Sequence, residues 1–176
     1  MKKLLVAAVL TLAAVSSHSQ HAGYAGQERR DIKALSAEEV SQYLSGAGMG
    51  YAKAAELNGF PGPMHALEFS DRLQLSDTQR AATRRLMEEH KADARAVGLK
   101  LIEAEAVVEQ LFRRGDVDPE ALAQGVRNAA ALQGEYRLAH LETHRRMRAL
   151  LTEEQVKRYD ALRGYSSEGA AQPHRH

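Results

Sequence analysis

An all-α fold is predicted from three observations. Ala, Leu, Glu, Arg and Gln dominate while aromatic residues make up only 5% of the 176-residue chain, a composition that favours helix over sheet. Apolar residues recur at three- and four-residue spacings over two long stretches, which is one face of a helix. Capping signals and prolines fall between the periodic stretches rather than inside them. Thirty alanines supply much of the 44% apolar content, so the core is built largely from small aliphatics.

Composition also excludes whole classes of chemistry. With no cysteine, disulfide scaffolds, thiolate zinc and iron–sulfur sites, thiol nucleophiles and attached haem are ruled out. Twenty-four basic residues against 23 acidic ones leave a formal charge of +1, which gives no pull toward nucleic acid.

The N-terminus reads as an export signal. Lys2 and Lys3 precede the uncharged stretch Leu4 to Val15, and Ser16-Ser17-His18-Ser19 follows; this is the three-part layout of a secretory signal peptide. Its twelve residues are too short for a bilayer, which needs about 20. Residues 1–19 are assigned to the signal, with Ala25 as the alternative cleavage point. Removing Lys2 and Lys3 turns the charge from +1 to −1. A periplasmic location is expected. Residues 20–34 are polar and carry Gly23, Gly26, Arg29 and Arg30, and are expected to form a loose arm ahead of a helical domain spanning 35–165.

Within that domain each helix has its own justification. Ser36 and Glu39 form a capping box that opens a short helix, and Gly46 stops it. Tyr51 to Leu57 is a second helical piece, ended by Asn58-Gly59. Phe60-Pro61-Gly62-Pro63 turns the chain and places Pro63 in the first position of a third helix ending near Leu73. Ser76 and Gln79 make a second capping box, opening a helix over Asp77 to Arg114 of roughly 57 Å at 1.5 Å per residue. Its stripe is Thr83, Leu86, His90, Ala94, Val97, Leu101, Ala104, Val108 and Leu111. Gly115-Asp116-Val117-Asp118-Pro119 stops that helix and starts the next. From Pro119 to Leu150 a second stripe runs Leu122, Val126, Ala129, Gln133, Tyr136, His140, Thr143, Met147 and Leu150. Thr152 and Gln155 form a third capping box, with Leu151 and Val156 as a hydrophobic staple, and the last helix stops at Gly164. Residues 166–176, rich in Ser, Gly and Pro, are expected to be disordered.

The two long stripes match if they fold back on each other. Pairing Leu111 with Leu122, Val108 with Val126, Ala104 with Ala129, Val97 with Tyr136, His90 with Thr143 and Leu86 with Met147 gives residue numbers that sum to 233 or 234 throughout. A long antiparallel helical hairpin with short flanking helices is the expected architecture. So thin a rod, seamed with alanine, buries little on its own, and a homodimer is expected.

Leu75-Ser76-Asp77-Thr78-Gln79 and Leu151-Thr152-Glu153-Glu154-Gln155 are two copies of one L-[S/T]-x-x-Q signature, one at each end of the hairpin. The pair resembles the LTxxQ signature of the Spy/CpxP family of periplasmic proteins, which includes heavy-metal resistance sensors related to CnrX. The resemblance extends to the secretory signal and to the segment from Met49 to His65. The first copy departs from the pattern in having Ser76 for Thr, a conservative cap exchange. The resemblance implies an interlocked, cradle-like homodimer that holds unfolded or misfolded envelope proteins without ATP. It also implies two other roles, in metal sensing and in regulating a membrane histidine kinase of the envelope stress response. No cofactor is required by the chaperone role.

The histidines supply the metal alternative. His140 and His144 are one turn apart on one helix face, and the constant sum places His90 opposite Thr143 and beside His144. With Met147, Glu89 or Asp93 nearby, this set suits Zn, Cu, Ni or Co. Met49, Met64 and His65 are weaker candidates, as are His21, His174 and His176. An enzyme is not expected, and no catalytic residue is assigned. In His140-Leu141-Glu142-Thr143-His144 the Glu stands one position away from where H-E-x-x-H needs it. Gly46-Ala47-Gly48-Met49-Gly50 lacks the spacing and the preceding strand of a dinucleotide loop. Asp116, Asp118 and Glu120 lack the spacing of an EF-hand loop. There is no G-x-S-x-G.

Overall fold

A computed structural model describes residues 23–115 and 117–165. The signal peptide, His21, the 166–176 tail with its His174 and His176, and Asp116 lie outside the described residues. Among the described residues there are six helices and no strand: α1 (Ala37–Ser45), α2 (Lys53–Glu56), α3 (Pro63–Glu68), α4 (Asp77–Arg113), α5 (Pro119–Leu150) and α6 (Glu153–Arg163). The all-α expectation is borne out.

The ends of the helices are set by local chemistry. Ser36, Ser76 and Thr152 each accept a hydrogen bond from the backbone N–H three residues on, while Glu39, Gln79 and Gln155 reach back to the cap N–H. All three capping boxes are therefore formed. Asp118 caps α5, and Pro119 begins it. Gly46 and Gly164 close α1 and α6 in the left-handed region, at φ of 70° and 74°, where a side chain would be strained. The third helix is shorter than expected. Regular α3 ends at Glu68, and irregular turns continue to Gln74, which takes φ of 53°. There Gln74 N–H donates to Asp71 O and Leu75 N–H to Ser70 O. This is a Schellman closure built without glycine, which is why no sequence signal marked it.

α4 and α5 pack along their lengths, and the pairs that touch have numbers that fall in α4 as they rise in α5. Gly125 lies against Val108, Tyr136 against Gly98, Thr143 bonds to His90, and Arg146 pairs with Glu89. Thr83, Leu86, Ala94, Leu101 and Ala104 are buried on α4, as are Ala129, Tyr136, His140, Thr143 and Met147 on α5. Three seam assignments need correction. Gln133 is exposed, and its neighbour Leu132 packs against the core in its place. Gly125 is buried where Val126 was expected, and Val126 is 51% exposed; likewise Gly98 is buried where Val97 is only half-buried. The reason is steric. A β-carbon on Gly98 would stand 2.4 Å from the Tyr43 carbonyl oxygen, and one on Gly125 would stand 3.2 Å from Val108 Cγ2. At Gly98 a neighbouring backbone comes too close for any side chain, and at Gly125 the Val108 side chain leaves little room for one, so the stripe shifts by one residue.

The buried apolar residues fall into two clusters. One, the lower cluster, joins Ala66, Leu73, Leu75, Leu86, Met147, Leu151, Val156 and Tyr159, where the helix-cap motifs meet. Leu151 and Val156, the staple pair, both lie in it. The other gathers Tyr43, Ala94, Leu101, Ala104, Ala129 and Tyr136 under α1. Beyond these, Lys33 donates to Glu109 from both its N–H (3.1 Å) and its Nζ (2.6 Å), and Arg113 donates to Asp31 O. The arm, expected to be loose, is thus tethered to α4 at its C-terminal end. No helix among the described residues is long and apolar enough to cross a membrane.

Candidate functional site

The two L-[S/T]-x-x-Q segments, 76 positions apart, meet in the lower cluster. Each glutamine first completes its own cap. Gln79 Oε1 accepts from Ser76 N–H and Gln155 Oε1 from Thr152 N–H, both at 2.9 Å. Their amide nitrogens then cross over. Gln79 Nε2 donates to Gln155 Oε1 at 2.8 Å, and Gln155 Nε2 donates to Gln79 Oε1 at 3.1 Å. The remaining hydrogens go to the other segment's backbone, from Gln79 to Leu150 O and from Gln155 to Leu73 O. Leu75 and Leu151, the first residues of the signature, are buried side by side in the same cluster. Every position of the signature therefore has a physical role: leucine anchors the core, Ser or Thr caps a helix, and glutamine caps and clasps. A glutamate would cap equally well but has no hydrogen to give across the clasp.

A second polar constellation surrounds α5 one helical turn and more away. His140 is buried, with its Nε2 atom lacking any hydrogen-bond partner. The His90 ring meets it edge-on, at 4.5 Å between centroids, Tyr136 meets it edge-on at 4.8 Å, and Tyr51 stacks parallel at 6.3 Å. The Tyr51 hydroxyl lies 3.0 Å from that of Tyr43 and accepts from Gln133, and Tyr136 donates to Ala47 O at 2.7 Å. In the sequence Tyr136 has a seam position but nothing marks Tyr43 and Tyr51 as joining it, and three of the chain's six tyrosines converge here. Burial, reinforced by the neighbouring His90 and His144, pulls the His140 imidazole down to about 4. Burial likewise lowers His90 and pushes the Tyr136 phenol up to about 12. Both imidazoles are therefore neutral at pH 7.

The four residues assigned as metal ligands are not brought to one point. His90 and His140 meet, with His90 Nδ1 3.0 Å from Thr143 Oγ1. His144 turns away, donating from Nδ1 to Phe60 O at 2.8 Å with Glu56 Oε2 at 3.5 Å. Met147 is fully buried in the lower apolar cluster. Of the companions, Glu89 pairs with Arg146, His65 pairs with Glu68, and Met64 is exposed. Among the described residues no group of three or more His, Asp or Glu side chains is arranged to hold an ion.

Next to His144, Glu56 anchors α2 to α6. Its Oε1 accepts from the buried Tyr159 hydroxyl at 2.6 Å and from Arg163 and Tyr165, and Tyr159 in turn accepts from Gly62 N–H. A β-carbon on Gly62 would stand 3.0 Å from His144 Cε1, so a larger residue in this turn would press on the His144 ring. The segment from Tyr51 to Pro63 is thereby fixed to α5 and α6.

The fold and the clasp define a small all-helical protein held together by two matched helix caps. The chain belongs to the LTXXQ motif family, whose model matches residues 64–163 and so takes in both copies of the signature. No curated protein and no solved structure matches the chain.

Proposed function

We propose that this protein is a periplasmic, ATP-independent holding chaperone of the envelope stress response, working as a homodimer whose paired α4–α5 hairpins form a shallow cradle. The observation that carries the reading is the surface of the two long helices. Leu99, Val107, Phe112, Val126 and Leu138 are each about half or more exposed, set among charged side chains such as Arg84, Arg85, Lys91 and Arg95. Scattered apolar contacts within a charged field suit weak, interchangeable binding of unfolded chains. The same exposed residues would serve a second copy of the chain, since a rod this thin leaves its apolar residues uncovered. Membership of the LTXXQ family, whose proteins are typically periplasmic and non-enzymatic, supports the location and the absence of catalysis.

The test is suppression of aggregation of a chemically denatured client by the mature protein, without nucleotide. Protection is expected near stoichiometric ratios and is expected to weaken in a Val107→Ser, Phe112→Ser, Leu138→Ser variant of unchanged melting temperature. No protection at severalfold molar excess overturns the reading. Light scattering at micromolar concentration checks the dimer.

One observation favours a second reading, that of a metal-responsive protein. His90 and His140 adjoin, and the buried Nε2 of His140 has no partner, so two neutral imidazoles stand together as donors for Zn, Cu, Ni or Co. Calorimetric titration of the wild type against a His90→Ala, His140→Ala variant checks it. Regulation of a membrane histidine kinase would use the same exposed helical surface as client binding, and is tested by direct binding to the kinase's periplasmic domain.

A further inference from the structure

Where the Met49–Asn58 segment leans on α5, a cleft of about 500 Å³ opens between them. Its size falls in the range of small-molecule sites, roughly 300–1,000 Å³. Met49, Tyr51 and Leu57 give it an apolar floor and wall, and Leu57 is 54% exposed there. Lys53 of α2 and Arg137 of α5 both line it, and no carboxylate does. Among the described residues neither cation makes an ion pair. By contrast, Arg145 and Arg146, further along α5, pair with Glu142 and Glu89. The wall is also held in a fixed shape. Met49 takes φ of 45°, a region unfavourable for a residue with a side chain, and Tyr51 is locked by its contacts with Tyr43 and Gln133.

An apolar floor flanked by two uncompensated cations is complementary to one kind of occupant. We infer that this cleft binds a small amphipathic carboxylate, with the anionic head between Lys53 and Arg137 and the apolar tail over Met49, Tyr51 and Leu57. The guanidinium of Arg137 offers the fork that suits a carboxylate, and Lys53 adds a second charge. This site is separate from the exposed residues assigned to clients and does not depend on that assignment.

Octanoate, octanol and octyltrimethylammonium, each below its micellar concentration, are the probes, with amide chemical shifts of the mature protein as the readout. Octanoate is expected to bind saturably at one site per chain. Shifts should be concentrated at residues 49–58 and around Arg137, and octanol should bind about tenfold more weakly, the worth of a charge-assisted contact. A Lys53→Gln, Arg137→Gln variant is expected to lose at least tenfold in octanoate affinity with an unchanged melting temperature. Going from hexanoate to octanoate, each methylene should tighten binding about two- to fourfold. Absence of saturable octanoate binding, equal binding of octanol or the cationic probe, equal binding by the variant, or shifts centred elsewhere overturns the inference.

Discussion

Gln79 and Gln155 hold each other by two amide hydrogen bonds, of 2.8 and 3.1 Å, across 76 residues of intervening chain. Each also completes the cap of its own helix, so local capping and long-range closure depend on the same two side chains.

That arrangement reverses the order in which a capping argument alone would rank two substitutions. Gln155→Glu keeps the cap acceptor but turns a donor into a buried charge facing Leu73 O and Gln79 Oε1. It is expected to cost about 3 kcal/mol. Ser76→Ala removes one cap acceptor and is expected to cost about 1 kcal/mol. Urea unfolding followed by circular dichroism measures both, and a Gln79→Ala, Gln155→Ala double-mutant cycle should show coupling beyond additivity.

Three glycines interrupt the long helices, and their surroundings predict opposite outcomes. Gly98→Ala would press a methyl into the Tyr43 carbonyl, 2.4 Å away, forcing α1 off α4. A loss of at least 2 to 3 kcal/mol is expected, on the order of an overpacked core. Gly134 has nothing within 4 Å of a new β-carbon, so Gly134→Ala should stabilise by about 0.5–1 kcal/mol through helix propensity. Thermal melts of the two variants should therefore move in opposite directions.

The His140 imidazole, held near 4 by burial and by His90 and His144, makes stability depend on acidity. Because the unfolded chain takes up the proton more readily, near pH 6.5, this stabilisation is complete above that pH and is lost as pH falls toward 4. Between pH 7 and pH 5 the contribution amounts to about 2 kcal/mol. A His140→Gln variant should show a smaller drop in unfolding free energy over that interval than the wild type. Equal drops would show that the imidazole does not carry the effect.

Glu109 is held down to about 2 by Lys33 and Arg113, and this contact fixes the arm. Glu109→Gln should speed tryptic cleavage at Arg29, Arg30 and Lys33 without lowering the melting temperature of the helical core. Raising the salt concentration should act in the same direction on the wild type, since the pair is at the surface.

Much of this molecule is written in short stretches of sequence. The capping boxes at Ser36, Ser76 and Thr152, the stops at Gly46 and Gly164 and the Pro119 start are interactions within a few residues, so helix order and most boundaries follow from local chemistry. The 3.5-residue stripes determine which faces of α4 and α5 are buried, to within one position. The family signature is legible for the same reason, since its leucine, cap and glutamine are fixed by neighbours in the chain. Tertiary structure decided the rest, because it depends on distances between backbones that no local pattern encodes. It placed Gly98 and Gly125 in the seam in place of valines, ended regular α3 at Glu68 with irregular turns beyond it, joined the two signatures through their glutamines, and sent His144 and Met147 to different partners from His90 and His140.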